Sequence, residues 1–232
     1  MEGSPFGGYC PQNEFCQGRY LNQTAGQLRI ANASGSFDNR YFSIDIGLVH
    51  FIVLDVNNYI GLEEPTIADR QLVWLEADLK KASIVEQKIK VPWIIVCSHV
   101  PMYSSSGNNG ELIKDIEPLL LKYSVDLYAT GHSHYYESEW PIGPNGYVAK
   151  KSFIKPTAPV HVVSGAGAAP AFGAEGPIDP MRIAEAKDQD FTRLNLYRWS
   201  YSVIEVFNAS VLTFSQIDNS NSSVIDTWTI VK

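Results

Sequence analysis

The chain has 232 residues, of which 45% are apolar and 19% charged, a balance that fits one large globular domain with a sizeable core. Eighteen basic and 25 acidic residues give a net charge of −7, which excludes nucleic-acid binding driven by overall charge. No apolar run approaches the ~20 residues that a membrane-spanning helix needs, so neither nucleic acid nor a membrane is a predicted partner.

Residues 1–40 are polar, rich in Gly, Asn and Ser, and without a clear hydrophobic period, so they are predicted to be a loop-rich segment. The first residues carry neither a basic nor an apolar region, and no signal peptide is predicted in this chain.

Cys10 and Cys16 are close enough in sequence to close a small loop in an oxidising compartment. Cys97 lies in an apolar run and is predicted to be a buried free thiol.

Residues 41–157 are predicted to be an α/β core. Tyr41–Ile46 alternates apolar and polar residues, and Leu48–Asp55 is nearly all apolar, as a strand covered on both faces would be. Residues 66–82 form the clearest helix, because Thr66 and Asp69 resemble a capping box and apolar residues recur at helical spacing, namely Leu72, Leu75, Leu79 and Ala82.

The rest of this core continues the strand–helix order. Trp93–Ser98 is predicted to be a buried strand, and residues 110–123 a helical stretch with a break or a fresh start at Pro118. Val125–Thr130 is the next predicted strand. Alternating strands and helices are typical of an α/β protein.

Residues 158–232 are predicted to be a β-rich segment of the same domain. Short strands joined by Gly, Asn and Asp turns are expected at Val160–Ser164, Tyr201–Phe207, Val211–Ile217 and Val224–Val231. The intervening residues 165–195 are predicted to be loop-like, with a short helix near Met181–Lys187.

Three of the five histidines follow predicted strands. His99 follows Trp93–Ser98, while His132 and His134 follow Val125–Thr130 in a Gly-His-Ser-His block. Ligands of open α/β sheets gather beyond the carboxyl ends of the strands, so we expect all three imidazoles at one edge. A Gly before His132 is expected to let the chain turn sharply there. Imidazole suits Zn, Fe and Mn, so these residues are candidate metal ligands.

The other polar candidates have simpler interpretations. His50 and His161 sit inside apolar strands and are predicted to be structural. Asp55 follows a strand and is expected to cap a turn rather than bind metal. Glu137 and Glu139, just beyond the histidine pair, are expected either to orient an imidazole or to lie at the surface.

Several stretches resemble the calcineurin-like metallophosphoesterases and, more narrowly, the purple acid phosphatases. Ser98-His-Val-Pro-Met-Tyr-Ser104 and Thr130-Gly-His-Ser-His-Tyr-Tyr-Glu137 resemble the last two metal-binding blocks of that family. The flanking stretches 41–55, 71–76 and 158–167 are also similar, as are the final strands. The resemblance therefore runs from about residue 35 to the end of the chain.

The resemblance implies a metallophosphoesterase-type β-sandwich flanked by helices. It also implies hydrolysis of phosphate monoesters at mildly acidic pH by a two-metal hydroxide mechanism, with Fe beside Zn, Mn or Fe. By position, His99 and His132 would hold the divalent metal and His134 the ferric ion. No other catalytic residue is assigned by the resemblance.

The chain also departs from the family pattern. The family's earlier ligand blocks are an Asp, then Gly-Asp-x-x-Tyr, then Gly-Asn-His-Glu, but this chain contains no Gly-Asp and no Gly-Asn-His. We therefore expect only the C-terminal two-thirds of such a protein, lacking its first strand–helix units. A partner chain or a missing N-terminal segment would then complete the site.

Two alternatives to an acid phosphatase stay open. The chain is either a catalytically inactive remnant acting as a structural or binding module, or a related metallophosphodiesterase. The resemblance also implies a secreted or vacuolar/lysosomal protein. Four glycosylation sequons, beginning at Asn22, Asn32, Asn208 and Asn221, suit such a glycoprotein.

Overall fold

The computed structural model describes residues 29–36, 40–60, 65–167 and 189–232. The helices of this part are Arg29–Ser34 (α1), Pro65–Ala82 (α2), Val85–Lys90 (α3), Gly110–Asp115 (α4) and Glu117–Lys122 (α5), with 3₁₀ turns at Asn57–Ile60 and Pro144–Gly146. The strands are Phe42–Ile46 (β1), Val49–Val53 (β2), Trp93–Cys97 (β3), Leu127–Thr130 (β4), Tyr136–Pro141 (β5), Val160–Ser164 (β6), Thr192–Leu196 (β7), Ser200–Val206 (β8), Val211–Asp218 (β9) and Val224–Val231 (β10).

The strands form two sheets. The larger has the order β1-β2-β3-β4-β6-β5-β7, and the smaller has the order β10-β9-β8. Strands β2, β3, β4 and β6 run parallel to one another, whereas β1, β5 and β7 pair antiparallel with their neighbours. Since β6 lies between β4 and β5, the chain after residue 158 shares a sheet with the preceding α/β segment.

Two apolar clusters cover opposite faces of the larger sheet. Along β3, Ile94 and Val96 belong to the cluster beneath the helices, whereas Trp93 and Ile95 belong to the cluster shared with the smaller sheet. Successive side chains of a strand point to opposite faces, so β3 is buried on both sides. The architecture is therefore a β-sandwich flanked by helices, as predicted.

The predicted helices are confirmed where the structure describes them. Leu75, Leu79 and Ala82 are buried along one face of α2, as their spacing indicates. The 110–123 stretch divides into α4 and α5, and Pro118 occupies the first turn of α5, where a missing backbone N–H does no harm. The Thr66 capping box, the Cys10 and Cys16 pair and the helix near Met181–Lys187 lie outside the described residues and side chains.

The structure departs from several sequence-based expectations. The 1–40 segment contains a helix, α1, and strands β5 and β7 were not predicted. β5 was missed because Glu137 and Glu139 give it the composition of an exposed turn, although both are fully buried. β7 is only partly buried along its length and therefore shows no apolar alternation. β2 alternates between buried and half-buried residues, so it is less enclosed than its sequence indicates.

His50 links the β1–β2 hairpin to the helical layer. Its Nδ1 lies 2.6 Å from an oxygen of Asp45, and its Nε2 lies 2.9 Å from an oxygen of buried Asp78. The hydroxyl of Ser43 donates a further hydrogen bond to Asp78. Burial lowers the pKa of His50, but the hydrogen bonds and charges of Asp78 and Asp45 outweigh it and hold the pKa above its usual value.

The stability that His50 supplies should therefore depend on pH. Because its pKa is raised in the folded state, this stability is fully present below the unfolded pKa of about 6.5 and is lost as pH rises through the folded pKa. We expect His50→Gln to lower the free energy of unfolding by about 2 kcal/mol near pH 5.5 and by less near pH 8.5, as measured by urea denaturation.

His161 provides the matched control. Burial lowers its pKa to about 3, so the folded protein keeps the ring neutral and loses stability as pH falls below about 6.5. His161→Gln should therefore show the opposite trend, with the larger loss near pH 8.5. If His50→Gln lowers the free energy of unfolding equally at both pH values, the raised pKa of His50 is contradicted.

Candidate metal centre

The carboxyl ends of β3 and β4 lie side by side. The two strands pair in parallel from Ile95 opposite Leu127 to Cys97 opposite Ala129. Beyond Cys97 the pairing continues into the loops, because the N–H of Ser98 donates to Ala129 at 3.1 Å and the N–H of Gly131 donates to His99 at 3.0 Å. The loops that carry His99 and His132 therefore leave the sheet together, as the sequence predicts.

The structure brings His99 and His132 into direct contact. Nε2 of His99 lies 3.3 Å from Nδ1 of His132, and the ring centroids are 5.1 Å apart with the rings nearly perpendicular. Burial lowers the pKa of His99, and the charges of His132 and His134 lower it further. His134 is therefore close enough to act on His99 electrostatically, although the two-ring contact involves only His99 and His132.

The backbone at this block differs from the expected turn at Gly131. The left-handed residue is His132, with φ of +61°, and a non-glycine residue in that region is uncommon outside turns and functional sites. A Cβ on Gly131 would meet only His99 atoms at 3.9 Å, an ordinary contact.

Gly165, just after β6, is the glycine that this loop requires. A Cβ at Gly165 would lie 1.9 Å from the carbonyl oxygen of Ser133. Its N–H also donates to the carbonyl of Tyr135 at 3.1 Å. The end of β6 therefore packs directly against the backbone of the histidine loop.

The imidazole pair fits one metal ion. Two nitrogens bound to one tetrahedral metal at about 2.1 Å would be separated by about 3.4 Å, close to the spacing of the His99 and His132 nitrogens. Within the described part of the chain, however, no group of three or more His, Cys, Asp or Glu side chains is arranged to hold a metal. Among the described residues, the His99–His132 pair therefore falls short of the donor set that a dinuclear centre needs.

Glu137 and Glu139 are both fully buried on β5, so the surface interpretation is wrong. Glu137 accepts hydrogen bonds from the N–H of Ser105 at 3.0 and 3.1 Å, from its hydroxyl at 2.9 Å, and from the hydroxyl of Thr192 at 2.7 Å. Glu139 has no hydrogen-bond partner among the described residues. Burial and the charge of Glu137 raise the pKa of Glu139 well above its usual value.

Sequence reasoning missed the residues that Glu137 binds. The run Ser104-Ser-Ser106 after the first histidine was a visible signal of side-chain hydrogen bonding near the site. Thr192 and Asn195 carried no such signal, because β7 reaches Glu137 only through the sheet pairing.

The remaining candidates agree with the predictions, except that Cys97 is only partly buried. His50 and His161 are buried within the fold, and the Asp55 carboxylate accepts a hydrogen bond from the N–H of Asn57 at 3.0 Å, capping a turn. Cys97 is a free, partly buried thiol, and burial raises its pKa to about 12.

Among the described helices, none combines the length and the apolar character needed to cross a bilayer.

Comparison with known proteins agrees with the fold and the histidine blocks. Residues 6–136, more than half of the chain, match the calcineurin-like phosphoesterase model, and residues 158–227 match the iron/zinc purple acid phosphatase-like protein C model. The chain belongs to the calcineurin-like phosphoesterase family, in its purple acid phosphatase branch. The match begins well before residue 35, where the resemblance was first visible.

Individual relatives agree with this placement. An acid phosphatase of Aspergillus ficuum is 26% identical over 94% of this chain and 42% of its own length. An Arabidopsis thaliana protein named Fe(3+)-Zn(2+) purple acid phosphatase 12 is 26% identical over 83% of this chain and 39% of its own length. The solved purple acid phosphatase of yellow lupin (Lupinus luteus) seeds aligns with a TM-score of 0.61 and 26% identity over 82% of this chain and 32% of its own.

The chain spans less than half the length of these relatives. The expectation of a partial span is therefore confirmed, and the matched share is smaller than the predicted two-thirds.

The contact at Gly165 generates a prediction about the histidine loop. A methyl group there would collide with the Ser133 carbonyl, so Gly165→Ala should lower the free energy of unfolding by about 1–3 kcal/mol. It should also shift the NMR resonances of residues 131–135. Gly131→Ala, whose added methyl meets only ordinary contacts, is the control for the free energy of unfolding, and equal destabilisation by the two variants would argue against this close approach.

The unpartnered Glu139 carboxyl generates a second prediction. Because its folded-state pKa is raised, the protein loses stability as pH rises above the usual glutamate range toward that pKa. Glu139→Gln removes this ionisation while keeping the shape of the side chain. We expect it to raise the free energy of unfolding by about 1–3 kcal/mol at neutral pH and by less near pH 4.5, as followed by urea denaturation. A gain that shrinks with rising pH would refute this expectation.

Proposed function

We propose that this chain is part of an acid phosphatase-type metallohydrolase that acts on phosphate monoesters. The observation that carries the proposal is the 3.3 Å approach of the His99 and His132 nitrogens at the carboxyl edge of a parallel sheet. That edge is where α/β sheets bind ligands, and the pair lies in a chain of the purple acid phosphatase branch. Activity, substrate and metal content belong to the proposal, because the chain spans only part of its relatives.

In this proposal the histidines are metal ligands. His99 and His132 bind a divalent ion, Zn, Mn or Fe, and His134 binds ferric iron. The relative named Fe(3+)-Zn(2+) purple acid phosphatase 12 supports this combination. A dinuclear centre supplies Lewis-acid activation of water and neutralises charge on the phosphoryl group.

The residues of the chain itself orient these donors. The pairing of β3 with β4 brings the two loops to one edge of the sheet. His132, whose backbone is left-handed, places its Nδ1 3.3 Å from Nε2 of His99. The close packing of Gly165 against Ser133 holds the second loop from the side of β6.

The remaining ligands come from elsewhere in this proposal. Three imidazoles divided between two metals leave each below the four or more ligands that such sites normally have. We propose that the other donors lie in segments outside the described residues or in a partner chain.

One observation favours a second candidate, a non-catalytic structural or binding module. The described residues contain no group of three or more suitably placed His, Cys, Asp or Glu side chains. In this case the histidines are an incomplete site, and the sandwich has only a structural or binding role.

We also propose a secreted or vacuolar/lysosomal location with glycosylation. The sequon residues Asn32, Asn208 and Asn221 are exposed, as a glycan acceptor must be, while Asn22 lies outside the described residues. A shift in mass on treatment of the natural protein with an amidase that removes N-linked glycans would support this assignment.

Metal content tests the enzyme proposal. After loading with iron and zinc, elemental analysis of the chain should give about two ions per molecule, and His132→Ala or His134→Ala should lose both the metal and the hydrolysis of an aryl phosphate monoester. His50→Gln, which changes an imidazole at the β1–β2 hairpin, is the control and should keep its metal.

The outcomes separate the candidates. A metal ratio near zero, with a melting temperature insensitive to chelator, would favour the non-catalytic module. If His132→Ala or His134→Ala hydrolyses the monoester as fast as the wild type, the assignment of these histidines as metal ligands of the enzyme is refuted. Faster hydrolysis of a diester than of a monoester would indicate a phosphodiesterase instead.

A further inference from the structure

Glu137 lies at the junction of the two histidine loops. It is the second residue of β5 and follows the His132 loop by only a few residues. Its buried carboxylate accepts hydrogen bonds from four donors: the N–H and hydroxyl of Ser105, the hydroxyl of Thr192 and the amide of Asn195. Buried carboxylates are stabilised when donors surround them, so this arrangement is a specific anchor for Ser105.

Ser105 belongs to the loop that carries His99. That loop runs from the end of β3 to the start of α4. The N–H of Ser105 donates to both carboxylate oxygens of Glu137. Glu137 therefore connects the first histidine loop to the strand that directly follows the second one.

A set of hydroxyls makes a second connection between the loops. The hydroxyl of Ser106 lies 3.2 Å from that of Ser133, and it accepts a hydrogen bond from Tyr135 at 2.9 Å. Ser104 lies 2.9 Å from Ser106 and donates to Gly107, which closes the turn. Ser133 and Tyr135 flank His134, so the serine run contacts the second loop at the metal-binding block itself.

We propose that Glu137 is a positioning residue that holds the His99 loop against the His132 loop and so maintains the approach of the two imidazoles. This proposal rests on the proposed function only in taking those imidazoles as metal ligands. Glu137 contacts Ser105 rather than either ring, so it acts through the backbone of the loop.

A carboxylate suits this task better than an amide. Ionised carboxylate oxygens only accept hydrogen bonds, and the four groups bonded to Glu137 all donate to it in this arrangement. A glutamine would offer one oxygen, and its NH₂ would face the hydroxyls and amides that now donate to Glu137. The loop should then lose its fixed position even though the side chain keeps its size.

Glu139 is the matched control. It lies on the same strand, is equally buried and carries the same group, but it binds nothing among the described residues. Replacing it with glutamine removes a buried carboxyl without removing an anchor of the histidine loops.

The test is the affinity of the full chain for Co²⁺, followed by visible absorption well below the melting temperature. Glu137→Gln should bind Co²⁺ about 10- to 100-fold more weakly than the wild type, the usual effect of losing a residue that orients metal ligands. Glu139→Gln should bind as the wild type does. Ser105→Ala, which keeps the backbone N–H, should lose less, and it serves as the milder variant if Glu137→Gln folds poorly.

Hydrogen exchange separates failure of this proposal from failure of the metal assignment. The Ser105 amide should lose protection in Glu137→Gln and keep it in Glu139→Gln, whether or not metal binds. Equal Co²⁺ affinity in the two variants, or equal protection at Ser105, would overturn the positioning role. A wild type that takes up no Co²⁺ would refute the proposed metal site, and the exchange data would then decide the role of Glu137 by themselves.

Discussion

The parallel pairing of β3 with β4 is the constraint on which the site depends. Parallel strands cannot be joined by a tight turn, so the chain must cross over through α4 and α5 before β4 begins. At the amino end of the pair, Asp126 accepts from the N–H of Ile94 at 2.8 Å and from the Lys232 ammonium at 2.8 Å, which fixes the register. At the carboxyl end of the pair, that register places His99 and His132 next to each other.

The loops beyond that edge contain several features that are unfavourable in isolation. His132 has a left-handed backbone, Gly165 has no room for a side chain, and Glu137 and Glu139 place two carboxyl groups in the interior. Such features persist only where the surrounding structure stabilises them, and here the larger sheet is covered on both faces by apolar clusters. At this edge of the sheet, these features occur together with the paired imidazoles.

The sequence predicted the elements in which a single physical signal dominates. The apolar composition of Trp93–Cys97 indicates a doubly covered strand, and the leucine spacing of α2 indicates a helix face. β5 was hidden because the buried carboxylate of Glu137 is satisfied by contacts that are distant in sequence, while Glu139 is buried without a hydrogen-bond partner among the described residues. Glu137 is 32 residues from Ser105 and 55 from Thr192, and no local pattern contains those separations. The left-handed backbone falls on His132, one residue after Gly131, and the glycine without room for a side chain is Gly165, which contacts Ser133 from just beyond β6.

The two buried glutamates on β5 cannot complete the histidine site as they stand. Both oxygens of Glu137 already accept hydrogen bonds from Ser105, so recruiting them for a metal would release the loop that carries His99. Glu139 favours its protonated form, and a neutral carboxylic acid is a poor metal ligand. If this edge binds two ions, its oxygen ligands must therefore come from segments other than β5. Glu137 then has one role that the geometry supports, which is to fix the position of the loop that carries His99.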